Sequence, residues 1–226
     1  MLADSAGLPY AHAAIRAFWE REGAEYDQRA AHGISSEPER RLWTAALSAI
    51  PERSWVLDIA TGTGFVALLL SELGHRVTGM DASEAMLARA RAKAAATAAT
   101  VEFVEGVTEE VPFPDASFDA LTARHFIWTL LEPEKAFAEW RRVLAPDATL
   151  IADVSLNPHV AGHHYADDVA AALPFRALSD AAPVADALRS AGFERVRIDL
   201  SRDGGEYPRA MLHAGPANSA EPQHIS

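Results

Sequence analysis

The pattern of apolar and polar residues changes near residue 51 of this 226-residue chain. Before that point apolar residues recur at helical spacing, which predicts a helix over residues 10–32 and a second helix between Ser36 and Pro51. After it, short apolar runs alternate with helix-forming segments of about ten residues. Strands and helices that alternate at this spacing are typical of βαβ units around a parallel sheet.

The pattern predicts seven strands. Five of them lie in the middle of the chain, at residues 55–60, 76–80, 101–104, 118–123 and 149–154, with helices at 65–73, 83–96 and 134–144. After a histidine-containing segment, a helix over 182–191 precedes two strands, at 193–200 and 209–214, which a Gly-Gly turn joins as a hairpin. We therefore predict an α/β fold with a single Rossmann-like, doubly wound, seven-stranded sheet. The sheet is mostly parallel with an antiparallel C-terminal hairpin, and N-terminal helices precede it.

The predicted elements divide the chain into three parts. Residues 1–50 hold the N-terminal helices, which we expect to form a lid over the ligand site. Residues 51–216 hold the sheet, with a lid or substrate insertion at about residues 156–180 in place of a simple crossover. Residues 217–226 are small and polar, and we expect a loose tail there.

Composition narrows the classes of function. The chain has 20 Lys and Arg against 32 Asp and Glu, and its net charge of −12 disfavours binding to nucleic acid or to anionic membranes. It contains no cysteine, which excludes disulfides, Cys-ligated metal sites and thiol nucleophiles. No apolar run approaches the roughly 18 residues of a membrane span and no targeting segment is visible, so we expect a cytoplasmic protein.

Two glycines and two aspartates indicate a ligand site. Gly62 and Gly64 lie where the first strand meets a helix, and glycine there lets the backbone turn tightly and approach a ligand. Asp58 precedes this loop, where a carboxylate would repel a pyrophosphate and attract an ammonium group. Asp81 ends the second strand, where a carboxylate can accept both hydroxyls of a ribose. Ammonium, ribose and adenine together describe S-adenosylmethionine.

Other interpretations of these residues stay open. Gly62-x-Gly64-x-x-Ala67 also fits the dinucleotide-binding fingerprint, so the loop alone is weak evidence. Asp58 could be a helix-capping residue, and Asp81 could be a turn residue before Ser83. The two carboxylates at this spacing favour the cofactor interpretation over either structural one.

Four segments, at residues 56–64, 77–87, 111–119 and 139–146, resemble the class I S-adenosylmethionine-dependent methyltransferases. The likeness is to the small-molecule branch that includes ubiquinone- and menaquinone-type methyltransferases. It covers residues 50–155 and continues more weakly to the end of the chain. The resemblance implies S-adenosylmethionine as cofactor and S-adenosylhomocysteine as its product, and it says little about the acceptor.

The resemblance also implies roles for individual residues. Asp58 would lie near the methionine ammonium, Asp81 would hold the ribose hydroxyls, and Tyr26 would close over the cofactor. Val107 stands where the family usually has an acidic residue for the adenine amino group, so we expect adenine to rely on backbone groups. The cofactor-binding residues so implied are Tyr26, Asp58, Ala60, Thr61, Gly62, Thr63, Gly64, Asp81, Ala82, Met86, Val107, Thr108 and Arg124. Ala60 replaces the family's commonest first glycine, and Arg124 follows the fourth strand, where the family's backbone lines the methionine end.

Methyl transfer needs alignment, a dry pocket and, for a hydroxyl or a protonated amine, a base. His125 follows the fourth strand and is the candidate catalytic base, because an imidazole titrates near neutral pH. A packed histidine that donates to a backbone carbonyl is the alternative. The candidate substrate-lining residues are Trp19, Trp128, His163 and Tyr165, although Trp19 and Trp128 are equally plausible in the core.

The segment with His159, His163 and His164 also carries two carboxylates, Asp167 and Asp168. Adjacent histidines rarely face one ion, and such a cluster is more often solvated, so we predict no metal site there. A lid that faces the substrate is the favoured interpretation of this segment.

We therefore expect the protein to transfer a methyl group from S-adenosylmethionine to an oxygen or nitrogen atom of a small-molecule acceptor, as a tailoring step in secondary metabolism. Residues 122–126 carry no Asp/Asn-Pro-Pro-aromatic motif, which argues against methylation of amino groups on bases or glutamine. A non-catalytic cofactor-binding partner protein stays open, as does a nicotinamide-dependent oxidoreductase, although Lys93 and Lys135 are the only lysines available to one. A homodimer is also compatible with the sequence.

Overall fold

The seven predicted strands form one sheet. The structure is a computed structural model, and it describes residues 7–23, 26–28, 37–157, 165–201 and 208–215. Within these residues the strands are ordered β3-β2-β1-β4-β5-β7-β6. They are β1 (Trp55–Ile59), β2 (Arg76–Asp81), β3 (Val101–Glu105), β4 (Phe118–Ala123), β5 (Leu144–Ser155), β6 (Arg195–Ser201) and β7 (Arg209–Gly215). Neighbours pair in parallel except that β7 pairs antiparallel with β5 and β6, which confirms the predicted fold class.

Helices cover both faces of the sheet. They are α1 (Gly7–Glu22), α2 (Glu37–Leu47), α3 (Phe65–Glu72), α4 (Glu84–Thr97), α5 (Pro133–Val143), α6 (Asp167–Ala171) and α7 (Ala182–Ser190), with 3₁₀ turns at Tyr26–Gln28 and Ile127–Thr129. Ser83 caps α4 by accepting a hydrogen bond from the Met86 amide, and this anchors the turn that follows β2.

The prediction of one helix over residues 10–32 is wrong, because α1 ends at Glu22. A Cβ atom at Gly23 would lie 3.1 Å from the Ala85 side chain, so the chain leaves the helix where it meets the start of α4. The strand predicted at 149–154 is longer than expected and begins at Leu144, directly after α5. The Ser36 cap predicted for the second helix lies outside the described residues.

Alternate strand residues supply two separate cores. Leu57, Leu121 and Leu150 point to the face covered by α5 and α7, where Phe137 and Trp140 are fully buried. Their neighbours along each strand are Val56, Ala120 and Ile151, which point to the face covered by α2 and α3. This alternation is the period of two expected for strands buried on both faces. The core therefore fixes the register of the central strands and the edge at which they all end.

The carboxyl ends of the parallel strands form the edge at which a ligand site is expected. Chain order reverses between β1 and β4, since β1 lies between β2 and β4 in the sheet. Loops that leave neighbouring strands in opposite directions open a crevice at such a switch point. Helix α1 crosses this edge and packs on α4, and its Glu20 accepts hydrogen bonds from the Ser83 hydroxyl and the Ala85 amide. Helix α2, in contrast, belongs to the core through Trp43 and Leu47.

Removing the largest buried side chain of the α5 face tests this account of the core. We expect Trp140→Ala to lower the free energy of unfolding by about 3–5 kcal/mol, because it leaves a cavity that the sheet cannot close. Urea titration followed by circular dichroism measures the change. The control is Leu200→Ala at a side chain that is 72% exposed on β6, for which the change stays within about 0.5 kcal/mol. Equal effects of the two substitutions would contradict this packing.

Candidate functional site

A cavity of about 380 Å³ opens at the carboxyl edge of the sheet, under α1. Nine of the residues implied in cofactor binding line it, namely Tyr26, Ala60, Gly62, Asp81, Ala82, Met86, Val107, Thr108 and Arg124. A smaller recess beside it shares four of these residues and adds Asp58, Thr61 and Thr63. Gly64 lines neither space, because it is the N-cap residue of α3. Short loops after β1, β2, β3 and β4 thus converge on one space.

The loop after β1 turns through three residues with left-handed backbone conformation. Ala60, Gly62 and Gly64 have φ angles of 50°, 54° and 88°. Glycine adopts this conformation without strain, whereas alanine pays roughly 1–2 kcal/mol for it. Ala60 therefore keeps a glycine-like geometry at the residue where the resemblance expects glycine. The loop directs the Gly62 amide toward the end of β2.

Asp58 anchors the loop from below. One carboxylate oxygen accepts a 2.6 Å hydrogen bond from the Thr61 hydroxyl, and the other accepts one of 2.6 Å from the Thr122 hydroxyl. The Ala67 amide donates a further bond to the same carboxylate. Burial nevertheless raises the pKa of Asp58 to about 6, because these bonds only partly replace water around the charge. The structure thus gives Asp58 a structural function in the loop and leaves it in the wall of the recess.

Asp81 ends β2 at the floor of the cavity. Its oxygens accept hydrogen bonds from the Gly62 amide at 2.8 Å and from the Ser83 amide at 2.9 Å. Burial in the narrow cavity raises the pKa of Asp81 to about 6. Two amides from different loops therefore orient a carboxylate whose remaining acceptor capacity faces the cavity. This geometry suits a ligand with paired hydroxyl groups.

The loop after β3 supplies the opposite wall. Gly106 lies where a Cβ atom would come within 2.6 Å of the Met80 sulfur, so a larger residue there would require Met80 to shift. Val107 is exposed at this wall. Its side chain cannot accept a hydrogen bond from a ligand amino group. Glu109 lines the cavity two residues later and was not predicted from the sequence. An acidic side chain is thus available at this wall, but from a shifted position.

Thr63 and Asp27 connect the N-terminal segment to the glycine loop. The Thr63 hydroxyl bonds Asp27 at 2.6 Å, and Lys93 of α4 lies 2.6 Å from the other Asp27 oxygen. Lys93 also donates to Thr63 at 2.8 Å. The residue before Asp27, Tyr26, is thereby held over the loop, and burial raises the pKa of its hydroxyl. The side chain of Thr63 therefore holds this segment rather than facing the cavity.

A cluster of buried charges underlies the cavity between α2, β4, β5 and β7. Glu39 is 2% exposed and accepts from Arg124 at 2.9 Å and from Arg209. Arg209 also lies 3.2 Å from Asp153, which completes two cations against two carboxylates. Glu39, Asp153 and Arg209 were not predicted from the sequence. A weak signal existed for Asp153 and Arg209, which are charged residues in mostly buried strand segments, whereas Glu39 stands among other charged residues of α2.

His125 connects this cluster to the cavity. Its φ angle is 54°, a strained conformation for a side chain other than glycine, and its amide donates to Asp153 at 2.6 Å. Its Nε2 atom lies 2.8 Å from Nη2 of Arg209, and arginine can only donate. Nε2 therefore accepts that hydrogen bond in this arrangement. His125 lines the cavity as expected, but a function as base at Nε2 would require this contact to open.

The candidate substrate residues separate into two groups. Trp19 lines the cavity. Trp128 and Tyr165 pack around Phe18. The ring centroids of Trp128 and Tyr165 lie 5.9 Å apart, and those of Phe18 and Tyr165 lie 5.2 Å apart. They thus form a cluster beneath α1 rather than part of the cavity wall. His163, like His159 and His164, lies outside the described residues. Residues of α1 that line the cavity and were not predicted are His12, Ala13, Ile15 and Arg16.

The described residues offer neither a metal site nor a membrane-spanning helix. Within residues 7–23, 26–28, 37–157, 165–201 and 208–215, no group of three His, Asp or Glu side chains could hold a metal ion. Over the same ranges, every helix is too short or too polar to cross a bilayer.

Comparison with known proteins shows what parts of this chain are similar to. Residues 57–152 match the family model described as a methyltransferase domain. The demethylmenaquinone methyltransferase of Thermus thermophilus is 44% identical over 114 residues, which cover 50% of this chain and 51% of that protein. The ubiquinone/menaquinone biosynthesis C-methyltransferase UbiE of Methylobacterium nodulans is 41% identical over 115 residues, which cover 47% of this chain and 46% of that protein. The chain thus spans about half the length of the curated relatives it matches.

A solved structure shows the same fold over more of the chain. The S-adenosylmethionine-dependent methyltransferase of Aquifex aeolicus superposes with a TM-score of 0.60 at 24% identity, over 80% of this chain and 90% of that one. The matched region contains the glycine loop, Asp81 and the loops after β3 and β4 that enclose the cavity. Residues 57–152 therefore match a methyltransferase domain, and the chain shares its fold with an S-adenosylmethionine-dependent methyltransferase.

Proposed function

We propose that the protein transfers a methyl group from S-adenosylmethionine to a small-molecule acceptor. The observation that carries the proposal is the pair formed by Asp81 and the glycine loop. Asp81 is oriented by the Gly62 and Ser83 amides and faces a cavity that three further loops enclose. When bound, S-adenosylmethionine supplies a methyl group on a sulfonium, so the chain itself must mainly bind, align and exclude water.

The residues present fit this cofactor. Asp81 offers acceptor capacity for two ribose hydroxyls, and Gly62 allows close approach of the backbone. Gly106 and Met86 line the cavity, and the lack of a side chain at Gly106 leaves room for a purine beside the backbone. Asp58, in the adjoining recess, offers negative charge for an ammonium group. A dinucleotide would instead bring a pyrophosphate toward Asp58, which disfavours the oxidoreductase alternative.

For the acceptor we favour a small, largely apolar ring compound with an ionisable hydroxyl group. Ile15, Trp19 and Phe126 give the cavity an apolar lining, and His125 and Thr129 add polar groups. The relatives named above act on menaquinone and ubiquinone precursors, and one of them is a C-methyltransferase. We therefore extend the expected acceptor atom from oxygen or nitrogen to ring carbon. The original expectation of a tailoring step in secondary metabolism stays a proposal.

In this proposal His125 meets the acceptor, either as a base or as a hydrogen-bonding group. The contact from Arg209 to Nε2 leaves the neutral imidazole with its proton on Nδ1. In that state the ring presents a donor to an acceptor oxygen, and it becomes a base only where Arg209 moves away. Because the backbone of His125 is fixed by Asp153, the ring stays at the end of β4 in both cases.

Helix α1 and the segment at Tyr26 act as a cover in this proposal. Glu20 bonds the start of α4, Arg16 pairs with Glu105, and Asp27 bonds Thr63 and Lys93. These contacts bring Trp19 and Tyr26 onto the cavity. A cover of this kind excludes water from the transfer step and opens for exchange of ligands.

Loss of the Asp81 carboxylate tests the cofactor assignment. We expect Asp81→Ala to weaken binding of S-adenosylhomocysteine by about 10- to 100-fold, because hydrogen bonds to a charged group are lost. Calorimetric titration measures the change, with NADH as a control ligand that does not bind the wild type. Glu194→Ala, at an exposed residue, serves as the matched control variant and leaves affinity unchanged. Unchanged affinity in Asp81→Ala would contradict the ribose assignment, and binding of NADH alone would contradict the proposed function.

Cofactor affinity should depend on pH below neutrality. The pKa of Asp81 and of Asp58 is raised to about 6, and an ammonium or hydroxyl group binds best to the ionised form. Affinity for S-adenosylhomocysteine therefore rises from pH 5 to pH 7 and levels off above. The free energy of unfolding of the ligand-free protein depends on pH in the opposite direction. It falls as pH rises through about 6, because the stabilisation from the protonated carboxyls is then lost. Titrations at pH 5, 6 and 7 check this, and Asp81→Asn should flatten the profile. A flat profile in the wild type would contradict the account.

Replacement of His125 by each of two amides separates its possible functions. With hydroquinone-type acceptors, methylation is detected as a mass increase of one methylene. We expect His125→Asn, whose amide lies near the position of Nδ1, to keep more activity than His125→Gln, whose amide lies near Nε2. Retained activity in His125→Gln with loss in His125→Asn would instead assign the hydrogen-bonding function to Nε2. Loss in both variants would assign base catalysis to His125, because an amide cannot take up a proton. Unchanged rates in both would return His125 to a packing role.

A further inference from the structure

We propose that the side chain of Arg124 binds the carboxylate of the cofactor's methionine moiety, and that Glu39 of α2 holds the guanidinium in position. This inference rests on the proposed function and adds a ligand to it. The resemblance assigned only backbone contacts to this residue. The assignment of its side chain comes from the buried charges around it.

Arg124 has an incomplete set of partners. Its side chain is 8% exposed, and its Nε atom donates to Glu39 at 2.9 Å. The guanidinium carbon lies 4.6 Å from the centre of the Phe65 ring, so one face of the group is covered. The Nη2 atom is buried without a hydrogen-bond partner among the described residues. The guanidinium is therefore left with donor capacity at Nη2 that a carboxylate can satisfy.

The carboxylate that Arg124 does contact is shared. Arg209 donates to the same Glu39 oxygen, and it has a further partner in Asp153. Glu39 therefore satisfies neither arginine fully, and Arg124 has fewer partners in the cluster than Arg209. A buried cation with incomplete pairing is costly unless another anion completes it. Glu39 thus fixes the direction of Arg124 without a hydrogen bond to Nη2.

The position of Arg124 matches one end of the ligand. Arg124 lines both the main cavity and the recess that contains Asp58 and Tyr26. Burial raises the pKa of Asp58 and of Tyr26, and the nearby positive charge of Arg124 opposes this rise in both groups. An α-amino acid carries an ammonium and a carboxylate on one carbon atom. A recess with one anion, one cation and a phenol beside them is complementary to such a zwitterion.

The test compares two ligands that differ only in the carboxylate. S-adenosylhomocysteine and its decarboxylated analogue both keep the adenosine and the ammonium group. We expect the wild type to prefer S-adenosylhomocysteine by at least about tenfold in calorimetric titration. In Arg124→Met its affinity should fall by about 10- to 100-fold, while affinity for the analogue changes by less than about threefold. Arg124→Lys should restore part of the preference, because it keeps the charge without the fork.

Arg189→Met is the matched control, because it removes an exposed arginine of α7 that does not line the cavity. It should leave the ratio of the two affinities unchanged. Equal weakening of both ligands in Arg124→Met, or a preference that survives it, would overturn the assignment. If Arg124→Met does not fold, the wild type still decides, since equal affinity for the two ligands would also overturn it. Failure of the wild type to bind either ligand would instead overturn the proposed function.

Discussion

The ligand site depends on one buried carboxylate. Glu39 accepts hydrogen bonds from arginines that follow β4 and begin β7, and so ties α2 to two strands on opposite sides of β5. Without this charge, Arg124 and Arg209 would be two like charges beneath the cavity with Asp153 alone to balance them. Removal of one partner from a buried ion pair is far more disruptive than removal of a surface pair. The cluster therefore sets the positions of Arg124 and His125 before any ligand arrives.

The sequence predicted the parts of the fold that depend on local pattern. All seven strands, the Ser83 cap and the turn at Gly62 follow from short-range periodicity and from residues with special backbone preferences. The charge cluster could not be predicted in this way, because Glu39 and Arg209 lie 170 residues apart. Nothing in either local segment indicates the other. The end of α1 at Glu22 was missed for a similar reason, since Gly23 is required by contact with Ala85 on a distant helix.

The same limit applies to the site. Asp81 and the glycine loop were predicted because a strand followed by a turn has a recognisable sequence, and nine of the thirteen implied cofactor residues line one cavity. Trp128 and Tyr165 were expected in the cavity wall because they are aromatic, yet they pack around Phe18. Aromatic type does not distinguish a pocket wall from a core. Residues of α1 such as His12 and Arg16 reach the cavity only because α1 crosses the edge of the sheet, and periodicity does not predict that placement.

Several strained or incompletely paired groups lie where the ligand would bind. Ala60 and His125 adopt positive φ angles at the ends of β1 and β4, and Asp58 and Asp81 have raised pKa values at the ends of β1 and β2. The Nη2 atom of Arg124 is in addition buried without a hydrogen-bond partner among the described residues. Each of these features costs free energy in the ligand-free protein, and a ligand with ammonium, carboxylate and hydroxyl groups would relieve several at once. These groups all lie at the carboxyl edge of the sheet, so a single bound ligand can contact them together, whereas the two cores on the faces of the sheet consist of apolar residues.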